Sequence, residues 1–347
     1  MKQSEKKLTE ILHEHLLKSL SPDQLRPSKL CPENEGGQNL KQNLKDWARL
    51  FRLQTLGATA MAPVLGTALA IGIDIRLAYV FIFGILVHVV GFAHNNFCDR
   101  NIDLHIIHSN PIARKEISES TAGYVIAILW MVMYLMPLFL IETDGAIVYL
   151  IVLSMSAVGA LYNMFSKKFV LSGVFLALWI STLTLSGYAF FSLDWNIPII
   201  ILCLAALMQC WNQWIEGLLK DRDTDAVNLA KILKGWKWDI FFYASLIAQV
   251  IIIDWLLWEL RPILIYGSAA FFFVILSVLV WALIAEEKDR SKMLKLSGLH
   301  EILVYEAVVC CISVFIADWA IVFGLVPVLI YLAFNRLLYG EMGRPQI

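Results

Sequence analysis

Asn95, Asp99 and Asp103 recur every four residues in the stretch HNNFCDRNID. On a helix that spacing stacks the three side chains on one face. Two carboxylates on one face repel unless a cation joins them. Oxygen donors without thiolates suit Mg2+, which keeps some of its waters and fills the rest of its shell with substrate phosphates. A second acidic turn stands far along the chain in WIEGLLKDRDTDAVNL, where Asp221 and Asp225 are again one turn apart, with Asp223 between them and Glu216 upstream. Two such faces opposed across a bundle would hold Mg2+ around one diphosphate. Basic residues accompany both: Arg114 and Lys115 after the first, Lys167 and Lys168 in YNMFSKKF, Lys220 and Arg222 within the second. Cations placed there offset charge developing on a departing diphosphate. The plainer reading is that the aspartates pair with Arg100 and end a helix, and that the lysines are surface charges.

The elements that must position these residues are apolar. Of 347 residues, 59% are hydrophobic and 16% charged, and runs close to a bilayer-spanning length of roughly 20 residues recur throughout. The pattern predicts an all-α, polytopic membrane helical bundle of nine or ten transmembrane helices. Spans are expected at 53–73, 77–97, 120–141, 145–163, 169–191, 196–216, 239–257 and 263–285, followed by an apolar region at 302–335 that holds one long helix or two short ones. Both acidic turns then end even-numbered spans and lie on one side. The loops on that side, 98–119, 164–168, 217–238 and 286–301, hold 14 Lys and Arg, whereas the alternate loops hold only Arg76 and Arg261. The positive-inside rule places the N-terminus and the acidic turns in the cytoplasm. Residues 1–48 read as a cytoplasmic leader, a loop or an amphipathic helix, 49–335 as the transmembrane catalytic domain and 336–347 as a short tail.

Six scattered cysteines without a CxxC pair argue against a disulfide scaffold or a thiolate metal centre, and a net charge of −1 gives no reason to expect nucleic acid. His94, His105 and His108 lack the spacing of a zinc helix. A diphosphate at the membrane boundary, with its remainder among aromatic-rich lipid-embedded helices, is most simply an isoprenyl diphosphate. Its departure leaves an allylic cation that aromatic faces stabilise. Tyr162 and Trp211, near the ends of their spans, are candidates for that role, although an interfacial aromatic belt predicts the same placement.

With these motifs the chain resembles the UbiA superfamily of intramembrane aromatic prenyltransferases. The family's Asn-x-x-x-Asp-x-x-x-Asp motif is met by Asn95, Asp99 and Asp103, and its Asp-x-x-x-Asp motif by Asp221 and Asp225. Its tyrosine followed by a basic group is similar to Tyr162 and Lys167, and its arginine near the first span to Arg52 in RLQT. The resemblance runs over about residues 48 to 335. It implies a bundle whose cavity opens laterally to lipid, Mg2+ held by the five motif residues, Lys167 at the reacting diphosphate and contacts from Arg52 and Tyr162, while Arg114, Lys168 and Lys220 are expected as further diphosphate contacts from their charge and place beside the motifs.

Two segments depart from the pattern. Asn110-Pro111 stands where the family commonly has Arg-Pro, leaving Arg114 as the substitute, and AVNLAKIL, with Asn228 and Lys231, replaces the usual segment after the second motif. These changes spare the metal ligands and fall in loops that cap the pocket, so the resemblance carries further for diphosphate ionisation than for the acceptor. Two enzymatic expectations stand side by side: transfer of the prenyl group to an aromatic or other lipophilic acceptor, and closure of the cation on its own chain by a terpene cyclase. A non-enzymatic transporter or structural membrane protein is the third reading.

Overall fold

A computed structural model describes residues 40–103, 110–220, 228–233, 236–259, 264–286 and 322–339, with single positions and short runs between 292 and 309. Every regular element among the described residues is helical. Residues Leu44–Ile347 cluster as one unit and Met1–Asn43 as another. In chain order the helices are α1 (Leu40–Leu50), α2 (Leu56–Ile71), α3 (Arg76–Asp103), α4 (Glu119–Leu135), α5 (Gly145–Phe165), α6 (Gly173–Ala189), α7 (Ile197–Lys220), the single turn α8 (Leu229–Ile232), α9 (Trp236–Glu259), α10 (Leu264–Glu286) and α11 (Val322–Tyr339). Short 3-10 turns at Leu53–Thr55 and Met136–Phe139 precede α2 and follow α4.

Among the described residues six helical stretches are long and apolar enough to cross a membrane: Leu53–Ile71, Arg76–Asp103, Glu119–Phe139, Gly145–Phe165, Ile197–Leu218 and Trp236–Trp255. Three shorter apolar helices accompany them, at Gly173–Ala189, Phe271–Ile284 and Gly324–Phe334. The chain is an integral membrane protein. Its expected spans coincide with these helices to within a few residues at most ends. The largest shift is at α3, which continues past residue 97 to Asp103 and so carries the whole acidic face on regular helix. The junction expected near residues 317–319 lies outside the described residues.

The layering follows from side-chain size. Thirteen consecutive residues of α2, Leu56 to Ala68, are buried, as expected of a helix apolar on every side. Lipid offers no hydrophobic drive for helices to associate, so close approach of small residues does this work. A Cβ on Gly187 of α6 would lie 1.9 Å from the Pro63 carbonyl oxygen of α2, and one on Gly84 of α3 would lie 2.5 Å from the Ala60 carbonyl oxygen. The Thr67 hydroxyl donates to the Gly187 carbonyl at 2.7 Å and seals the α2–α6 crossing. By contrast α4 and α5 turn large apolar side chains outward, among them Tyr124, Met131, Leu150 and Leu153.

At the end opposite Asp103 the connections are short and tied together. Arg76 binds Asp74 at 2.8 Å and Glu142 at 2.6 Å, while the Thr143 hydroxyl donates to the Ala189 carbonyl at 2.6 Å. Asp144 caps α5 by accepting from the Ala146 amide at 2.9 Å.

Candidate active site

Because α3 is regular to Asp103, Asn95, Asp99 and Asp103 do share a face, and all three are buried. Charge reaches them from two other elements. Lys167 sits in the turn after α5, which is closed by the Ser166 amide donating to the Tyr162 carbonyl at 2.7 Å and by the Ser172 hydroxyl donating to the Ser166 carbonyl at 3.0 Å. Its ammonium group bonds Asp103 and lies 3.8 Å from Asp99 Oδ2, with 17% of the side chain exposed.

Arg52 comes from the bend between α1 and α2. Its backbone is left-handed, with φ 47° and ψ 46°, a conformation that costs a non-glycine residue about 1–3 kcal/mol unless its surroundings hold it. Its guanidinium lies 3.4 Å from Oδ1 of both Asn95 and Asn96 and 5.2 Å from the centre of the Phe92 ring. Arg52 and Lys167 therefore stand at the two halves of the same acidic face.

The loop after α3 is fastened to it by Asn110. The Asn110 side-chain amide donates to Asp103 Oδ2 at 2.9 Å and to the Asn96 carbonyl at 2.8 Å, and its oxygen accepts from the Ile112 amide at 3.1 Å. Asn228 does the same after α7. Its amide donates to the Leu218 carbonyl at 2.9 Å, and its oxygen caps α8 by accepting from the Ala230 amide at 2.9 Å. Asp221, Asp223 and Asp225 lie outside the described residues, as do His105, His108 and the side chain of Lys220.

Other expected residues are placed differently. Arg100 does not pair with the aspartates: it binds Glu119 at 2.8 Å, donates to the Phe97 carbonyl at 2.6 Å and lies over the Phe97 ring. Arg114 is exposed and binds Glu116 at 3.0 Å, and Glu116 is also bound by Arg49 at 3.1 Å. Burial pushes the Glu116 carboxyl up, and the two arginines pull it back. Lys168 is exposed and Tyr162 half-buried. Trp211 packs on Trp214 and Phe241, with ring centroids 4.8 and 6.0 Å apart, and so joins α7 to α9. His94 sets its ring edge-on to Trp130 at 6.0 Å.

The donor set suits a hard cation. Asp99 and Asp103 are buried carboxylates that already draw one ammonium group between them, and Asn95 adds an amide oxygen on the same face. Among the described residues no group of three or more His, Cys, Asp or Glu side chains converges.

The UbiA prenyltransferase family model matches residues 56–299, which spans α2 to the described residues after α10. The chain belongs to the UbiA prenyltransferase family. Its fold is similar to that of a digeranylgeranylglyceryl phosphate synthase in membranes, with TM-score 0.58 at 21% identity, covering 78% of this chain and 98% of that one. It is also similar to a UbiA homologue from Aeropyrum pernix K1, with TM-score 0.59 at 13% identity, covering 73% and 96%. A UbiA homologue from Archaeoglobus fulgidus bound to Cd2+ gives TM-score 0.55 at 14% identity, covering 76% and 99%. At these identities the likeness establishes the fold. A comparison with curated proteins finds no match.

Within this UbiA-family bundle, three residues at the acidic face have no part in the motif read from the sequence. Asn96 donates to the Leu50 carbonyl at 2.7 Å, Asn110 holds Asp103, and His88 lies against the Arg52 carbonyl. Asn96 and His88 share the motif's side of α3, eleven residues and less from Asp99, and that periodicity is the signal by which they can be found.

Proposed function

We propose that the chain binds an isoprenyl diphosphate at the acidic end of α3, ionises it with Mg2+, and transfers the prenyl group to an aromatic or other lipophilic acceptor. The observation that supports this most directly is the convergence of Lys167 and Arg52 on the buried Asn95, Asp99 and Asp103 face. In this reading Asn95, Asp99 and Asp103 hold Mg2+ together with Asp221 and Asp225, directly or through water. When bound, the metal supplies positive charge that stabilises the leaving diphosphate. Lys167 and Arg52 contact the diphosphate oxygens, with Arg114, Tyr162, Lys168 and Lys220 as further contacts. The bond between the prenyl carbon and the diphosphate oxygen breaks, and the oxygen keeps the electron pair. The bundle then holds the allylic cation against its nucleophile, the new bond forms from the prenyl carbon to an aromatic carbon or hydroxyl oxygen of the acceptor, and the acceptor releases a proton.

We place the catalytic region at 49–335, between a leader at 1–48 and a tail at 336–347, although α1 and α11 each run across one of these limits. The N-terminus and the acidic loops face the cytoplasm, because the loops on that side carry most of the Lys and Arg.

The test is incubation of the purified protein in lipid with Mg2+ and isoprenyl diphosphates of several lengths, first without and then with candidate acceptors, followed by analysis of extractable products. Acceptor-dependent prenylation that is lost in both Asp99→Ala and Asp221→Ala supports the proposal. A cyclic hydrocarbon formed without acceptor would replace transfer with cyclisation at the same site. Unchanged turnover in both variants, with folding retained, would exclude a shared Mg2+ site.

A further inference from the structure

The left-handed backbone of Arg52 needs a cause, and the side of α3 that carries the acidic motif supplies one. His88, Phe92, Asn95 and Asn96 lie at positions i, i+4, i+7 and i+8 of that helix, so they share a side with Asp99. Each touches the α1–α2 bend: His88 Nε2 is 3.1 Å from the Arg52 carbonyl oxygen, the Phe92 ring lies against the Arg52 guanidinium, Asn95 and Asn96 face the same guanidinium, and Asn96 also holds the Leu50 carbonyl.

His88 is fully buried. A carbonyl oxygen only accepts, so Nε2 carries the proton. Nδ1 is buried without a hydrogen-bond partner, so Nε2 is the ring atom that ties His88 to the bend. The same carbonyl accepts from the Thr55 amide at 3.0 Å and the Thr55 hydroxyl at 3.1 Å. Three donors thus converge on the one peptide group whose orientation decides where the Arg52 side chain begins.

We infer that His88 is a positioning residue for Arg52: it fixes the bend in the conformation that aims the guanidinium at the acidic face, and so sets the strength with which the anionic group of the substrate is bound. The inference rests on the diphosphate reading for its consequence, and on the geometry of the bend for its cause. His88 also packs on Phe92, with ring centroids 4.5 Å apart, so the hydrogen bond has to be separated from the packing.

Two replacements of His88 make that separation in the full-length protein. His88→Phe keeps a ring and removes the donor, whereas His88→Gln keeps a donor at similar reach. His88→Phe should raise KM for the isoprenyl diphosphate about tenfold and leave kcat within about threefold, the pattern of an interaction shared by ground and transition states. His88→Gln should restore KM to near the parent value. In an Arg52→Ala background His88→Phe should add no further change, because the residue it acts through is gone.

Hydrogen–deuterium exchange of the segment Leu50–Leu56 gives a readout that needs no substrate. His88→Phe should speed exchange there and His88→Gln should not. Equal effects of Phe and Gln, additivity with Arg52→Ala, or unchanged exchange in His88→Phe would each overturn the inference. If the parent protein neither binds nor turns over any isoprenyl diphosphate, the functional proposal fails, and the exchange result alone decides the role of His88.

Discussion

At the scale of single residues the site is a balance of charge in a buried place. Asp99 and Asp103 face one ammonium group, and removal of that group leaves two buried carboxylates without it. Lys167→Met should lower kcat by roughly 100-fold or more, the size seen when one group that stabilises a developing anion is removed, and steady-state turnover checks it. Asn110→Ala should cost about 1–3 kcal/mol of stability, because Asp103 Oδ2 and the Asn96 carbonyl each lose a donor in a buried setting, and thermal unfolding in detergent reads that loss. The carboxylates were legible in the sequence because a four-residue period names a helix face before the helix is seen. Asn110 was legible only as an arginine missing from a familiar place, since its hydrogen bonds depend on where it lies against α3. Arg52 was reached through family resemblance, because neither residue type nor spacing announces a left-handed arginine. His88 carried only its register with the acidic motif, a signal that a histidine which merely packs on that side of the helix would share.

Elements show the same division. Hydrophobic length located the helices, but their ends were set by local chemistry, as where Asp144 starts α5 and where α3 runs past its apolar stretch to carry the acidic face. The crossings were not legible, because small residues in an apolar run do not name their partners. Gly187→Ala should destabilise the bundle by about 1–3 kcal/mol, since its Cβ would meet backbone rather than a movable side chain. Gly145→Ala, with nothing within 4 Å of the added atom, should be close to neutral in the same unfolding measurement. The turn between α2 and α3 carries a pH dependence. The Arg76 guanidinium hydrogen bond and the Arg76 amide hold the Asp74 carboxyl below its ordinary value of 3.8. A carboxyl lowered in the folded state contributes its stability above 3.8 and loses it as pH falls through the folded value. Asp74→Asn should therefore flatten the acid side of a plot of unfolding temperature against pH.

For the molecule as a whole, the distribution of charge makes a prediction about sidedness. A cysteine placed at Lys115 should react with a membrane-impermeant thiol reagent from the cytoplasmic side, and one placed at Asp74 from the opposite side, in intact cells and in inverted vesicles respectively unreactive and reactive for Lys115. The reverse pattern would invert the proposed topology. The tight crossing of α2 with α6 also bears on how the protein is made. The Thr67 hydroxyl reaches a carbonyl 120 residues further along, so α3, α4 and α5 must all enter the membrane before α2 meets that partner. Its mean hydropathy is 1.3, against 2.0 for each of those three helices, and 67% of its spanning window is buried inside the bundle. Among the six long spans of the described residues this one is therefore the least suited to lipid alone, and during synthesis it must persist there until α6 has been made.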